Sequence, residues 1–139
     1  MTQVKDKTDQ QLNRALAELM GYTVYHYDKD VAERCYFELT APDGYPEIVF
    51  GGERITELEA WADVPNYCND PAASLEVQAK AIEVDGVGYI RNLEIAKWKK
   101  IMAPLARKEV SVLLTASPRE RAEAAYITLQ GALTSSKEE

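Results

Sequence analysis

Leu12, Ala15, Leu16, Leu19 and Met20 recur at the spacing of one helix face. Residues 9–20 are therefore predicted as an amphipathic helix buried along that stripe. Thr8 and Gln11 have the spacing of a capping box, and Gly21 supplies the stop. The period then falls from 3.6 to 2. Tyr22, Val24 and His26 alternate with Thr23, Tyr25 and Tyr27, a run rich in aromatic and β-branched types that predicts a strand. Arg34–Thr40 predicts a second, with Cys35, Phe37 and Leu39 on one face. Ala41–Gly44 reads as a turn, Pro42 presetting φ and Gly44 tolerating a positive one. Pro46–Phe50 reads as a short third strand ended by Gly51 and Gly52. Thr56 and Glu59 repeat the capping-box spacing, and Ile55, Leu58 and Trp61 lie at helical spacing, so one or two helical turns are expected there.

The second half opens on Asp70, a strong N-cap type, followed by Pro71, which suits a first helical position where its missing N–H costs nothing. Ala72, Leu75, Ala79 and Ile82 form the stripe of a helix predicted over 71–84, ending at Asp85-Gly86. Beyond it Val87, Tyr89, Leu93 and Ile95 alternate, with Arg91 interrupting. This predicts a strand that passes into a helix carrying Trp98, Ile101, Met102 and Leu105 on one face, or into an irregular segment. Val110–Leu114 reads equally as a buried strand or as the lead-in to the last helix. That helix is marked by Ser117, Pro118 and Glu120 at N-cap, N1 and N3, and by a stripe of Ala122, Ala125, Tyr126, Leu129 and Leu133 over 118–133. Residues 1–7 and 134–139 are expected to fray. The elements add up to one α+β domain over 1–139, a small, mainly antiparallel sheet packed by about three helices in sandwich-like layers.

Length and composition sharpen this only a little. A chain of 139 residues can bury one sizeable core without staples. It has no apolar run near the roughly 20 residues that span a bilayer, and its first ten residues lack a signal peptide's apolar core. A cytoplasmic location is the expectation. In that compartment Cys35 and Cys68 are expected as thiols, not as a disulfide. Charge excludes more: 23 acids against 16 bases give a net −7, which repels nucleic acid and anionic lipid and attracts a basic partner.

Candidate chemistry is sparse. Gly86 and Gly88 lack the lysine and serine of a phosphate loop, and no HExxH, GxSxG or paired CxxC occurs. With His26 as the single histidine, a metal site would have to draw on carboxylates, and neither metal nor other cofactor is expected. Cys68 lies near a helix start, where a dipole favours thiolate, but only His26 could serve it as a base, so no catalytic residue is expected and the chain reads as a non-enzyme. Glu53, Glu57, Glu59 and Asp63 cluster around Trp61 and could form a partner-binding surface, though a solvated face is the plainer reading. Arg91, Arg119 and Arg121, with Trp98 or Tyr126 for stacking, offer the alternative of an anionic nucleotide ligand. Tyr67, Asp70 and Ser117 read as structural, the first packing and the others capping.

The helix LNRALAELMGY, the segment VPNYCNDPAASLEV and the segment TASPRERAEAAYITL together resemble the phage ABA-sandwich family, small phage and prophage accessory proteins related to Nin-region proteins of lambdoid phages. Pro65, Tyr67, Asp70, Ala72 and Ala73 match the family's middle motif. Arg121, Ala122, Glu123, Ala124 and Ala125 match its last. Glu83–Leu114 departs from the family's short hairpin. The resemblance implies helix–sheet–helix layering and a phage setting, and no catalytic residue. The expected function is binding of a host protein, with antagonism of a bacterial antiviral system as the leading case and self-association as a compatible state.

Overall fold

The computed structural model describes residues 3–28, 35–44, 53–102 and 104–138. Among them the chain is a small α+β fold: a 3-10 turn at Val4–Asp6, then α1 (Asp9–Leu19), β1 (Thr23–Tyr27), β2 (Tyr36–Thr40), α2 (Glu57–Trp61), α3 (Pro71–Trp98), α4 (Arg107–Leu113) and α5 (Pro118–Glu138). The strand expected at Pro46–Phe50 and its glycine stop lie outside the described residues, as does Arg34. Contacts divide the chain into two compact units, residues 1–16 with 66–139, and residues 17–65.

In the 17–65 unit, α1 ends where Gly21 takes φ 102°, a left-handed turn that glycine adopts without a Cβ penalty. The Tyr22 amide donates back to the Ala17 carbonyl at 2.9 Å and closes that turn. β1 and β2 pair antiparallel, in a register that sets Thr23 opposite Thr40, Tyr25 opposite Glu38 and Tyr27 opposite Tyr36. Phe37 and Arg54 exchange both backbone hydrogen bonds at 2.8 Å, which pins the stretch leading into α2 to β2. Thr56 caps α2, its Oγ1 accepting from the Glu59 amide at 3.2 Å. The helix packs on both strands and buries Ala60 and Trp61, while Leu39 is buried from β2.

In the other unit the main packing is α3 against α5. Small residues let the helices approach closely: Ala73, Val77 and Ala81 from α3, and Ala122, Ala124 and Ala125 from α5, all buried. Leu12 and Leu16 of α1 and Leu129 of α5 are buried in the same unit. Three predicted caps form as read. Thr8 and Gln11 exchange bonds at 2.9 and 3.1 Å, Ser117 and Glu120 at 2.8 and 3.1 Å, and Asp70 Oδ1 accepts from the Ala72 amide at 3.1 Å.

The helix predicted over 71–84 is present and breaks where expected, but the segment beyond the break is not a strand. Asp85 leaves the helical region (φ −159°, ψ 84°), and a second helical half runs from 86 to Trp98. Asp85 Oδ1 accepts from the Gly88 amide at 3.0 Å, so the residue that stops one half caps the next. A Cβ at position 88 would overlap the Asp85 carboxylate, so glycine lets the cap close. The bend is sharp. Tyr89 Oη donates to Gln78 Oε1 at 2.8 Å across eleven residues, a separation of about 16 Å along a straight helix. The alternation misled because Val87 and Ile95 are exposed while Tyr89 and Leu93, one turn apart, are buried. Lys99 ends the helix with φ 62°, and the buried Glu94 carboxylate accepts from the Met102 amide at 2.9 Å. Val110–Leu113 is helical within α4, and α5 runs from Pro118 to Glu138.

Candidate functional site

Cys68 sits in the turn that Asp70 holds ahead of α3. Its amide donates to Asn13 Oδ1 at 3.0 Å and its thiol to the Asp9 carbonyl, with Sγ at 3.6 Å from that oxygen. Asn69 donates to Asp9 Oδ2 and Asn13 to Asn66 Oδ1, both at 3.0 Å. Arg119 reaches the same cluster from the first turn of α5. Its Nε donates to Glu123 Oε2 at 2.7 Å, and Nη1 donates to Asp9 Oδ1 at 2.8 Å and toward Cys68 Sγ at 3.8 Å. Nη2 donates to the carbonyls of Val4 at 3.1 Å and Lys7 at 2.8 Å. A guanidinium has five N–H donors, and here each has an acceptor.

This cluster is a structural knot. Burial pushes the Cys68 thiol up to about 11, against the lowering pull of Arg119, and a protonated, 2 % exposed thiol is a poor nucleophile. The Asn69 hydrogen bond, with Arg119 behind it, holds the Asp9 carboxyl below its ordinary range. The expected ligand set loses members here: Arg119 has no donor left for an anion, and Lys7 lies over the Tyr126 ring at 5.5 Å. Arg91 is exposed and Trp98 half-buried on the second half of α3. Tyr67, 1 % exposed, packs as read.

The acidic cluster is tied into local pairs, although Glu53, Glu57 and Glu59 stay exposed. Asp63 is held by a bidentate pair with Arg54, at 2.8 Å to Nε and 2.9 Å to Nη2. Glu59 Oε1 accepts from the Thr56 hydroxyl at 3.1 Å, and Glu57 Oε1 from Trp61 Nε1 at 3.4 Å. Trp61 is 8 % exposed. It is a core residue of its unit, as its helical spacing with Ile55 and Leu58 allows, because an indole that pairs its N–H locally can bury the rest of its ring.

Two features emerge that the sequence reading did not assemble. On the hairpin, Tyr25 and Tyr27 share a face of β1, with ring centroids 4.6 Å apart, and Tyr27 stacks on Tyr36 at 4.5 Å. Glu38 lies opposite Tyr25 on that face. Desolvation and the charge of Glu53 raise the Glu38 carboxyl above its ordinary range, and no described residue donates a hydrogen bond to it. The result is an anionic tyrosine ladder, with Tyr25 about half exposed. On the opposite face of the strand, His26 stacks on Phe37 at 4.4 Å. The period-2 pattern was a sufficient signal for Tyr25 and Tyr27; the register that adds Tyr36 and Glu38 was not.

The other feature is a cavity of about 250 Å³ in the helical unit. Leu75 and Ile82 from the first half of α3, Ile90 and Leu93 from the second, and Val110 and Leu113 of α4 form its walls. Arg121, Gln78 and Tyr89 supply its polar edge. Arg121 Nη1 donates to the buried Ser74 Oγ at 3.0 Å. Burial raises the Tyr89 phenol well above its ordinary range, with Arg121 pulling it back. Reading 86–95 as a strand hid this cavity.

Among the described residues, no three His, Cys, Asp or Glu side chains group to hold a metal, and no helix is long and apolar enough to cross a membrane. Comparison with family models, curated proteins and solved structures finds no match.

Proposed function

We propose that this protein is a small phage or prophage accessory protein that acts by binding a basic host protein, with a nucleic-acid-handling component of an antiviral defence system as the leading target, and that it catalyses no reaction. The observation that supports this most is the anionic tyrosine ladder. Tyrosine faces attract a lysine or arginine head group, and the effect grows when the pair is desolvated. Glu38 supplies the counter-charge beside them, and among the described residues its ionised form has no hydrogen-bond donor to offset the desolvation. The net charge of −7 steers a basic partner to the molecule. An anionic nucleotide, the alternative ligand, finds little here: Arg119 is saturated and Tyr126 is paired with Lys7.

Capture from bacterial lysate by the intact chain tests the reading, with a Tyr25→Ala/Glu38→Gln double variant in parallel. A basic protein should be recovered at low salt and less of it at high salt, with the variant about tenfold weaker. Because a cation favours ionised Glu38, capture should also weaken as pH falls through that carboxyl's raised pKa. Equal capture by a variant with an unchanged melting temperature, or no basic protein at any salt, would sink the proposal.

A further inference from the structure

We propose that the cavity between α3 and α4 binds a medium-chain aliphatic carboxylate, its head group on Arg121 and Gln78 and its chain along the leucine and isoleucine walls. A concave apolar surface edged by a few polar groups is the usual form of a small-ligand site. Here Leu75, Ile82, Ile90 and Val110 line the cavity while each remains more than 40 % exposed. The walls hold no aromatic ring except that of Tyr89, whose hydroxyl already donates to Gln78. That disfavours a stacked base and suits an alkyl chain.

The polar edge selects the head group. Of Arg121's five donors, one goes to Ser74 and no other meets a partner among the described residues. Gln78 accepts from Tyr89 through Oε1, which leaves its amide N–H groups to donate. A guanidinium and an amide together donate to both oxygens of a carboxylate. The lining carries no carboxylate to repel it. Size sets the chain. At roughly 30 Å³ for each water-sized group, 250 Å³ holds about eight, so the chain of octanoate fits and that of decanoate begins to protrude.

Calorimetric titration of the intact chain with hexanoate, octanoate and decanoate below their micellar concentrations tests this, with octanol and octyltrimethylammonium as head-group controls. Saturable one-to-one binding is expected, tightening about two- to fourfold per methylene from hexanoate to octanoate and levelling off towards decanoate. The carboxylates should bind at least tenfold more tightly than octanol. Arg121→Gln should erase that preference while leaving octanol binding in place, and Ile90→Trp, on a half-exposed position, should block both ligands with the fold intact by circular dichroism. No saturable carboxylate binding would overturn the proposal. So would equal affinity for acid and alcohol, carboxylate binding that survives Ile90→Trp, or a stable dimer that decanoate does not dissociate, since a second copy would then be the occupant.

Discussion

Arg119 shows what a single side chain contributes here. Its guanidinium ties the carbonyls of Val4 and Lys7, the Asp9 carboxylate and Glu123 into one network. It is three-quarters buried, and Glu123 more so. Replacing it by alanine strands a mostly buried carboxylate and frees two carbonyls. We expect Arg119→Ala to cost about 2–3 kcal/mol, between an exposed ion pair and a buried one. Lysine should recover only part, because an ammonium cannot serve acceptors spread over three directions. Urea titration of the three proteins checks both points. The sequence offered Arg119 only as one of a set of anion ligands, although Glu123 lies one helical turn away. Glu123 was the visible half of the answer. The partners 110 to 115 residues away were not visible, because no local pattern reports which carbonyls a tertiary fold will leave unsatisfied.

At the level of elements, α3 carries the main lesson. Its first half was legible as a helix, with cap, proline and a stop at Asp85-Gly86, but the predicted stripe of Ala72, Leu75, Ala79 and Ile82 is exposed, and Ala73, Ser74, Val77 and Ala81 are buried instead. The second half was not legible as a helix, because its apolar residues serve two masters. Tyr89 and Leu93 are buried beside the cavity, Ile90 lines it while half exposed, and Val87 and Ile95 are exposed. Apolar residues spread around a helix lose the 3.6 period that identifies one. The same logic hid the cavity and left the tyrosine ladder half seen, since cross-strand register is set by tertiary pairing. Asp85→Ala should cost about 1 kcal/mol by removing the cap of the second half, with helix content falling slightly by circular dichroism. Leu16→Ala and Leu129→Ala, in cores that the stripes did identify, should cost about 2–5 kcal/mol each. A change at Asp85 equal to the leucine losses would mean that the bend is held by the cap alone.

For the whole molecule, pH reads out the buried groups together. The Cys68 thiol rises from an ordinary value of 9.0 to about 11 on folding, and the Tyr89 phenol rises too. Both favour the protonated folded state, so their contribution is complete below about pH 9 and is lost as the unfolded chain begins to ionise above it. Stability should fall between pH 9 and 11 at up to about 1.4 kcal/mol per pH unit for Cys68, with Tyr89 adding its own loss above its ordinary value of 10.0. Cys68→Ala should flatten the slope over that window, which melting temperatures at stepped pH will show. Asp9 acts in the opposite sense. Its lowered carboxyl contributes above the ordinary carboxylate range and loses that contribution as pH falls through the lowered value, a small effect for a half-exposed group.

The tie between Arg119 and the amino-terminal turn also bears on the order in which the protein is made. Residues 17–65 are continuous, so their unit has all its parts early in synthesis. The helical unit is divided: its opening turn and the start of α1 leave the ribosome well ahead of the arginine that binds them, which follows 110 residues after Asp9. At about 5–20 residues per second, those early residues wait about 6–20 s for their partner. During translation Val4, Lys7 and Asp9 are therefore an unfastened leader, with carbonyls and a carboxylate open to chaperones or proteases until α5 arrives.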